Sequence, residues 1–275
     1  MSADSSNYLV RFVRLSFLSL AQLFRSPSHS RRAEAARRAA RHVLWLSAGL
    51  SAAIIVLMYF LDAWEIAQMP KRGTPSLWWV RILTDFGKDE YVLAALAVLL
   101  VAIALIAPAV HGMRRWLLLG LGTRLQFLFC AVAVSALITE VLKWAVGRGR
   151  PFVGGDNVFH FSHFAGTPAY SSFPSGHATC AFALAFAVAA VWPASRMVMA
   201  VYALVILATR LVLLAHHPSD VVAGALVGII GAMFVRYWFA ARRLGFAIHG
   251  DGRIVSLAGP SSGRLKRVAG GASAP

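Results

Sequence analysis

The chain has 275 residues, of which 59% are hydrophobic and only 14% charged, and its formal net charge is +16. A composition this apolar excludes an ordinary soluble domain, because six buried helices would leave little polar surface for water. The two cysteines, Cys130 and Cys180, exclude a secreted disulfide framework. The basic residues do not alternate with aromatic ones as in a nucleic-acid module, so no nucleic-acid partner is predicted.

An arm, six membrane spans and a tail are predicted in chain order. Residues 1–42 form a basic cytoplasmic arm, in which residues 8–24 suit an interfacial helix because Leu, Phe and Val outnumber the charges. Residues 43–243 form the membrane domain, and residues 244–275, rich in Gly, Ser and Arg, form a disordered cytoplasmic tail. Six apolar runs are close to the roughly 20 residues that a spanning helix needs: 43–61, 91–110, 125–146, 175–192, 197–215 and 219–239. The predicted fold class is therefore all-α, a six-span transmembrane helical bundle.

The charges between the spans orient this bundle. With a cytoplasmic N-terminus, 19 of the 27 Lys and Arg residues but only three of the 11 Asp and Glu residues fall on the inner side. The remaining eight basic and eight acidic residues fall on the outer side. Because Lys and Arg near span ends favour the cytoplasm, both termini are predicted to be cytoplasmic. The protein is predicted to be a multi-pass protein of the inner (plasma) membrane.

The long outer connection, residues 147–174, is rich in Phe and Tyr. One interpretation is a loop that its aromatic side chains anchor on the bundle. The other is a lid, or a wall beside which a lipid reaches a site. The sequence leaves both interpretations open.

Three cations break the apolar pattern at the outer ends of the spans. Lys143 and Arg150 are seven positions apart and share a helix face if the third span continues through Gly147, and Arg210 comes from the fifth span. Several fixed cations without an excess of carboxylates suit a multiply charged anion, and guanidinium groups suit phosphate oxygens. Arg148, by contrast, is predicted to extend to the headgroup region, as long basic side chains do at span ends.

The fourth span opens with the sequence Pro174-Ser175-Gly176-His177. Ser175 is predicted to cap the helix, and the free N–H groups of a first turn, at the positive end of the helix dipole, bind anions readily. Gly176 allows a ligand to approach the backbone closely. His177 lies in the same turn and is expected to reach the same anion.

The turn between the fifth and sixth spans contains His216, His217 and Asp220. A carboxylate near an imidazole fixes its tautomer and stabilises its cationic form. With the cations nearby, this pattern suits a nucleophilic histidine better than a metal ligand, so no metal or other cofactor is predicted. His217 precedes Pro218, which displaces it from helical geometry. His216 is therefore the predicted nucleophile.

The three clusters resemble the signature of the type 2 phosphatidic acid phosphatase superfamily, which is K-x6-R-P, P-S-G-H and S-R-x5-H-x3-D. The chain meets every spacing, with Thr209 where the family has serine, and the resemblance covers about residues 91–239. It implies that His216 attacks phosphorus, that Asp220 orients His216 and that His177 protonates the leaving oxygen. It also implies a set of phosphate ligands: Lys143, Arg150, Ser175, Gly176 and Arg210.

The resemblance implies a metal-independent lipid phosphatase that forms a phosphohistidine at the periplasmic face of the membrane. Its substrate, a lipid phosphate or pyrophosphate held in the bilayer, is expected to be undecaprenyl pyrophosphate, phosphatidylglycerol phosphate, phosphatidic acid or a lipid A phosphate, with undecaprenyl pyrophosphate as the first choice. One alternative is a lipid phosphotransferase that uses the same intermediate. The other is a non-catalytic lipid-binding or transport protein, although such relatives lack the catalytic histidines that this chain has.

Overall fold

The computed structural model describes residues 2–70, 73–151, 153 and 157–257. Within these ranges the chain forms nine α-helices followed by one two-stranded sheet. The elements in chain order are α1 (Ser2–Phe24), α2 (Arg32–Phe60), α3 (Asp62–Gln68), α4 (Trp78–Asp85), α5 (Asp89–Ile106), α6 (Gly112–Val146), α7 (Gly176–Val191), α8 (Arg196–Val212), α9 (Pro218–Ala241), β1 (Phe246–Ile248) and β2 (Ile254–Ser256).

Five helical segments in the described ranges are long and apolar enough to cross a membrane. They are Arg32–Phe60, Pro75–Ile106, Gly112–Val146, Pro193–Val212 and Pro218–Ala241. The fourth predicted span corresponds to α7, an apolar helix of 16 residues. At 1.5 Å per residue it is about 24 Å long, which is shorter than a hydrocarbon core of about 30 Å. The structure therefore supports a helical membrane protein, and a sixth span remains a prediction.

Helix α7 lies inside the bundle, packed against α6, α8 and α9. Its closest approach is to α9, where a Cβ added to Gly224 would lie 2.4 Å from the carbonyl oxygen of Ser175. A Cβ on Gly228 would lie equally close, 2.4 Å, to the carbonyl oxygen of Thr179. This small-residue spacing is typical of tight helix contacts in membranes. It brings the first turns of α7 and α9, which carry two of the three motifs, into direct contact.

The N-terminal arm is partly continuous with the first span. Helix α2 begins at Arg32 and runs without a break to Phe60, so residues 32–42 belong to the same helix as the predicted span. Helix α1 contacts α5 through a hydrogen bond from the Tyr8 hydroxyl to the carbonyl of Leu105, 2.8 Å long. It leaves large apolar side chains such as Phe17 exposed. These exposed side chains fit the predicted interfacial helix.

The structure is mostly helical, as predicted, but residues 246–256 depart from an all-α fold and from a disordered tail that begins at residue 244. Strands β1 and β2 form an antiparallel hairpin, with Ala247 opposite Val255. The Phe246 ring packs edge-on against Phe127 of α6, with centroids 4.8 Å apart, so apolar contacts hold the hairpin on the bundle. Its turn contains Gly252, whose φ of +77° few other residues adopt. Residues 258–275 of the predicted tail lie outside the described residues.

Candidate active site

The three motifs meet at one end of the bundle, where α6 ends and α7 and α9 begin. The backbone N–H of Ser175 donates to the carbonyl of Asp220 over 3.0 Å, which links the second motif to the third. Arg150 Nη1 lies 3.4 Å from the carbonyl oxygen of Ala215, which links the first motif to the third. A Cβ added to Gly176 would lie 3.1 Å from Lys143 Nζ, so the lysine lies over the first turn of α7. The structure thus brings the predicted residues of all three motifs together.

The first motif does not form a continuous helix. Helix α6 ends at Val146, and Gly147 takes a left-handed conformation with φ of +58°. A Cβ at this position would lie 1.8 Å from the carbonyl oxygen of Ser162, so the long outer loop packs directly on the turn. Lys143 and Arg150 therefore do not share a helix face as predicted. Arg150 is instead positioned by the loop, because its Nε donates to the carbonyl of Pro168 over 2.9 Å.

The start of α7 presents a polar group that nothing in the described ranges satisfies. Ser175 occupies the N-cap position, but its side chain makes no capping hydrogen bond, contrary to the prediction. Its hydroxyl is buried and has no hydrogen-bond partner among the described residues. Lys143 lies nearby and forms an ion pair of 2.6 Å with Glu140. A buried hydroxyl without a partner costs free energy unless a ligand supplies the missing hydrogen bond.

Arg210 is held at the site by a threonine that the sequence did not identify. Thr84 of α4 is buried, and its hydroxyl accepts a hydrogen bond of 2.8 Å from Arg210 Nη1. The hydroxyl of Thr209 lies 3.0 Å from that of Thr84 and donates to the carbonyl of Ile206 over 2.6 Å. Thr209, which replaces the serine of the motif, therefore supports Arg210 through Thr84. Only the packing of α4 against α8 brings Thr84 to this position, so no sequence pattern indicates it.

The tautomer of His216 follows from its hydrogen bond. His216 Nδ1 lies 2.8 Å from the backbone carbonyl oxygen of Ser172, and a carbonyl can only accept, so we assign the proton to Nδ1. The lone pair is then on Nε2. Burial, followed by the positive charges of Arg210 and Arg150, lowers the pKa of His216 well below its ordinary value. The imidazole is therefore neutral at neutral pH and has an unprotonated nitrogen available for attack.

Asp220 contacts His216 less directly than the sequence predicts. Its carboxylate Oδ2 lies 4.0 Å from His216 Nδ1, beyond hydrogen-bond distance. The same oxygen accepts hydrogen bonds from the Ser172 hydroxyl, at 2.5 Å, and from the backbone N–H of His217, at 3.0 Å. Ser172 thus connects the two residues, with its carbonyl on the histidine and its hydroxyl on the aspartate. Ser172 lies in the outer loop, and the sequence analysis missed it.

Arg148 is fully buried and does not reach the headgroup region, so this prediction is wrong. Its guanidinium forms ion pairs with Asp220 at 2.7 Å and with Asp62 at 2.8 Å, and all three side chains are inaccessible to solvent. It also donates to the hydroxyl of Ser219 over 2.6 Å. Asp62 accepts hydrogen bonds from the backbone N–H and the hydroxyl of Ser219, at 3.0 and 2.5 Å. We call Asp62, Arg148 and Asp220 the buried triad; it ties the start of α9 to α3 and the outer loop.

A second acidic residue of α3 lies beside the buried triad. Glu65 is buried, and neither of its carboxylate oxygens has a hydrogen-bond partner among the described residues. Burial, together with the negative charges of Asp62 and Asp220, raises the pKa of Glu65 to about 8. The side chain is therefore mostly protonated at neutral pH, which avoids a third negative charge near a single arginine.

The arrangement as a whole suits a phosphoryl group. Cationic side chains, the N-terminus of α7 and a neutral imidazole lie together at this end of the bundle. In the part of the chain that the structure describes, no three His, Cys, Asp or Glu side chains lie close enough to hold a metal ion.

Comparisons with known proteins agree with these motifs. A family model described as the PAP2 superfamily matches residues 124–244. The chain is 38% identical over 127 residues to a lipid A 1-phosphatase of Rhizobium johnstonii, covering 46% of this chain and 52% of the relative. It is 38% identical over 146 residues to a decaprenylphosphoryl-5-phosphoribose phosphatase of Mycolicibacterium smegmatis, covering 52% and 68% of the two chains. It is 34% identical over 110 residues to a provisionally named undecaprenyl-diphosphatase of Escherichia coli, covering 37% and 52%.

The similarity is confined to part of each protein. The chain spans about half the length of the lipid A 1-phosphatases that it matches. No solved structure matches the chain.

Proposed function

The chain belongs to the PAP2 superfamily, and from this premise we propose that it is an integral membrane lipid phosphatase that removes a terminal phosphate through a phosphohistidine. The observation that carries the proposal is the state of His216. Its Nδ1–H is engaged by the Ser172 carbonyl, it is neutral, and it lies among the cations of the three motifs. A histidine held in this way is a nucleophile with its free nitrogen, Nε2, ready to react.

The proposed reaction has two steps. In the first, His216 Nε2 forms a bond to phosphorus while the bond from phosphorus to the lipid oxygen breaks, and His177 donates a proton to the departing oxygen. In the second, a water attacks the phosphohistidine, its proton passes to His177, and the bond between phosphorus and nitrogen breaks. His177 thus acts first as acid and then as base, which returns the enzyme to its starting state.

Asp220 would act on His216 through Ser172. As His216 becomes positively charged during attack, the carboxylate 4.0 Å away stabilises that charge at short range. The Ser172 carbonyl fixes the ring, and the Asp220 carboxylate fixes Ser172 through its hydroxyl.

The phosphoryl oxygens are proposed to bind Lys143, Arg150 and Arg210, together with the Ser175 hydroxyl and the Gly176 N–H. Phosphoryl transfer requires mainly positioning and neutralisation of charge on the equatorial oxygens, which these groups supply. The Ser175 hydroxyl supports this assignment most directly, because it is buried without a partner in the described residues. A bound phosphate would satisfy it.

The site is proposed to face the periplasm. The arm contacts the C-terminal end of α9, where the backbone N–H of Ser28 donates to the carbonyl of Ala241 over 3.0 Å, so it lies opposite the starts of α7 and α9. Basic segments such as this arm favour the cytoplasm. This orientation places the catalytic end at the outer leaflet of the inner membrane.

The proposed substrate class rests on the relatives as well as on the site. Two relatives named lipid A 1-phosphatase, with 37% and 38% identity, favour a phosphate on a lipid A type glycolipid. The undecaprenyl-diphosphatase and the decaprenylphosphoryl-5-phosphoribose phosphatase favour a polyprenyl phosphate or pyrophosphate. We place lipid A phosphates first, because two relatives carry that name, and undecaprenyl pyrophosphate second. The anion site would bind the terminal phosphoryl group that both lipids carry.

The test is release of inorganic phosphate by the detergent-purified full chain, with a chelator and without added metal. The lipids would be lipid A, undecaprenyl pyrophosphate, phosphatidylglycerol phosphate and phosphatidic acid. We expect release from at least one of them, with a base-stable, acid-labile phosphoenzyme when the terminal phosphate is radiolabelled. Label that appears on a second lipid instead of in inorganic phosphate would indicate a phosphotransferase.

Three variants distinguish the site from the fold. His216→Ala should lower the rate by at least about 1000-fold and abolish the phosphoenzyme, because the nucleophile is lost. Ser175→Ala should lower it roughly tenfold without loss of thermal stability, because it removes an unsatisfied buried hydroxyl. His163→Ala is the matched control, since His163 is exposed in the same loop region. A folded His216→Ala protein with the wild-type rate would exclude the proposed nucleophile.

A further inference from the structure

A cavity of about 790 Å³ lies at the end of the bundle opposite the candidate active site. It is bounded by α2, α7, α8, α9 and the β-hairpin. Arg236 in its wall follows Asp220 by 16 positions on the same helix, which is about 24 Å along the axis. The cavity is therefore separate from the candidate active site and close to the basic N-terminal arm.

Four arginines from four different segments line this cavity. They are Arg38 of α2, Arg196 at the start of α8, Arg236 of α9 and Arg253 of the hairpin turn. Asp251 contacts two of them: it lies 3.8 Å from Arg38 and forms an ion pair with Arg253. In the described part of the chain, Arg196 and Arg236 form no ion pair with a carboxylate. The cations thus exceed the carboxylate that contacts them, and the cavity has a net positive charge.

Arg236 has one N–H donor, at Nε, for which the described residues supply no acceptor. One of its terminal nitrogens donates to the carbonyl of Ile254, which holds the hairpin against α9. Its Nε is buried and has no hydrogen-bond partner among the described residues. An arginine within a spanning helix is costly and normally faces a partner or a polar cavity. An anion in the cavity would supply that partner.

Apart from His42, the rest of the wall is apolar, and it reaches the outside of the bundle. Trp45 and Leu46 of α2 and Ile229 and Met233 of α9 line the cavity beside the arginines. Trp45 is 74% exposed, so this side opens toward the bilayer, where tryptophan suits the headgroup level. A cavity that is lined by arginines and by apolar side chains, and that opens toward the membrane, matches an anionic headgroup with an attached acyl chain.

We propose that this cavity binds the phosphate of an anionic phospholipid from the leaflet on the side of the N-terminal arm. Basic pockets between membrane helices on the cytoplasmic side bind such headgroups, and arginine is suited to phosphate because it donates two parallel hydrogen bonds. The volume lies within the range of ligand pockets. The lipid joins α2, α8, α9 and the hairpin at one point, and its binding does not depend on the proposed phosphatase activity.

The experiment measures retention of phosphatidylglycerol by the detergent-purified full chain, titrated and counted by native mass spectrometry. Phosphatidylglycerol carries a phosphodiester without a terminal phosphoryl group, so the proposed hydrolysis does not consume it. We expect one tightly retained phosphatidylglycerol and no comparable retention of phosphatidylcholine. In the Arg196→Gln/Arg253→Gln double variant, retention should weaken about 25-fold, roughly fivefold for each charge. Both side chains are exposed, so the fold should persist.

The matched control is Arg37→Gln/Arg114→Gln, which removes two exposed arginines from outside the cavity. It should retain the lipid as the wild type does. A parallel titration with inorganic phosphate distinguishes the source of the anion. If the lipid stays bound when inorganic phosphate is added, the pocket is a lipid site, as proposed. If inorganic phosphate displaces the lipid, and the cavity variant no longer shows this displacement, the pocket binds free phosphate, which contradicts the proposal. Equal retention by the cavity pair and the control pair would overturn the proposal.

Discussion

Replacing Arg148 by glutamine should destabilise the protein more than any exposed substitution. The guanidinium forms ion pairs with Asp62 and Asp220, and all three side chains are inaccessible to solvent. In Arg148→Gln, two carboxylates remain buried near each other without a cation. Breaking a buried ion pair by removing one partner typically costs about 3–5 kcal/mol, because the remaining charge is uncompensated.

A double-mutant cycle separates this effect from lost packing. Asp62→Asn alone should cost about 2 kcal/mol, since it weakens the hydrogen bonds from Arg148 and Ser219. If the effects were additive, the double variant would be destabilised by about 6 kcal/mol with respect to the wild type. We expect only about 3 kcal/mol, because Asp62→Asn removes one of the two uncompensated charges. The coupling free energy is thus about 3 kcal/mol, well above the roughly 0.5 kcal/mol typical of independent sites.

The assay is the apparent melting temperature in detergent, followed by phosphate release at a temperature where every variant is folded. At about 2–4 °C per kcal/mol, Arg148→Gln should lower the melting temperature by roughly 10 °C, and the exposed control Arg114→Gln by less than about 2 °C. Phosphate release should fall roughly 100-fold, because Asp220 and the start of α9 lose their anchor. An additive cycle, or an unchanged melting temperature for Arg148→Gln, would refute the electrostatic account of the buried triad.

Two further predictions concern neighbouring features. The pKa of Glu65 is raised from 4.5 to about 8 in the folded protein, so the folded state holds a proton that the unfolded chain releases, and stability is lost as the pH rises from about 4.5 through 8. Glu65→Gln removes this dependence, so the melting temperature of the variant should match that of the wild type near pH 5 and exceed it by roughly 4 °C at pH 8. This difference corresponds to about 2 kcal/mol of stability after allowance for solvent screening. An equal difference at both pH values would contradict this. Gly224→Ala places a methyl group 2.4 Å from the Ser175 carbonyl oxygen, so it should lower the melting temperature and should reduce phosphate release at least tenfold. Gly49→Ala, with nothing within 4 Å, should lower neither. Equal behaviour of the two variants would show that α7 and α9 separate without cost.

Several features could be predicted from the sequence because they depend on local pattern. Apolar runs of spanning length identified helices at every predicted span, although α7 is shorter than a membrane-crossing helix. The spacing within each motif identified the family, since Lys143, His177 and His216 lie at the positions that its signature requires. The hairpin was missed because its strands are only three residues each, too short for alternation to show.

The sequence by itself determined the membrane class, the helices and the residues of the three motifs, since these follow from composition, periodicity and spacing along the chain. Only the tertiary structure decided how those residues are held. Ser172 rather than Asp220 contacts His216, Thr84 supports Arg210, and Arg148 is buried between Asp62 and Asp220. These contacts join residues 44 to 126 positions apart. A buried charge requires a partner, but which distant residue supplies it depends on how the helices pack, and no local pattern records that choice.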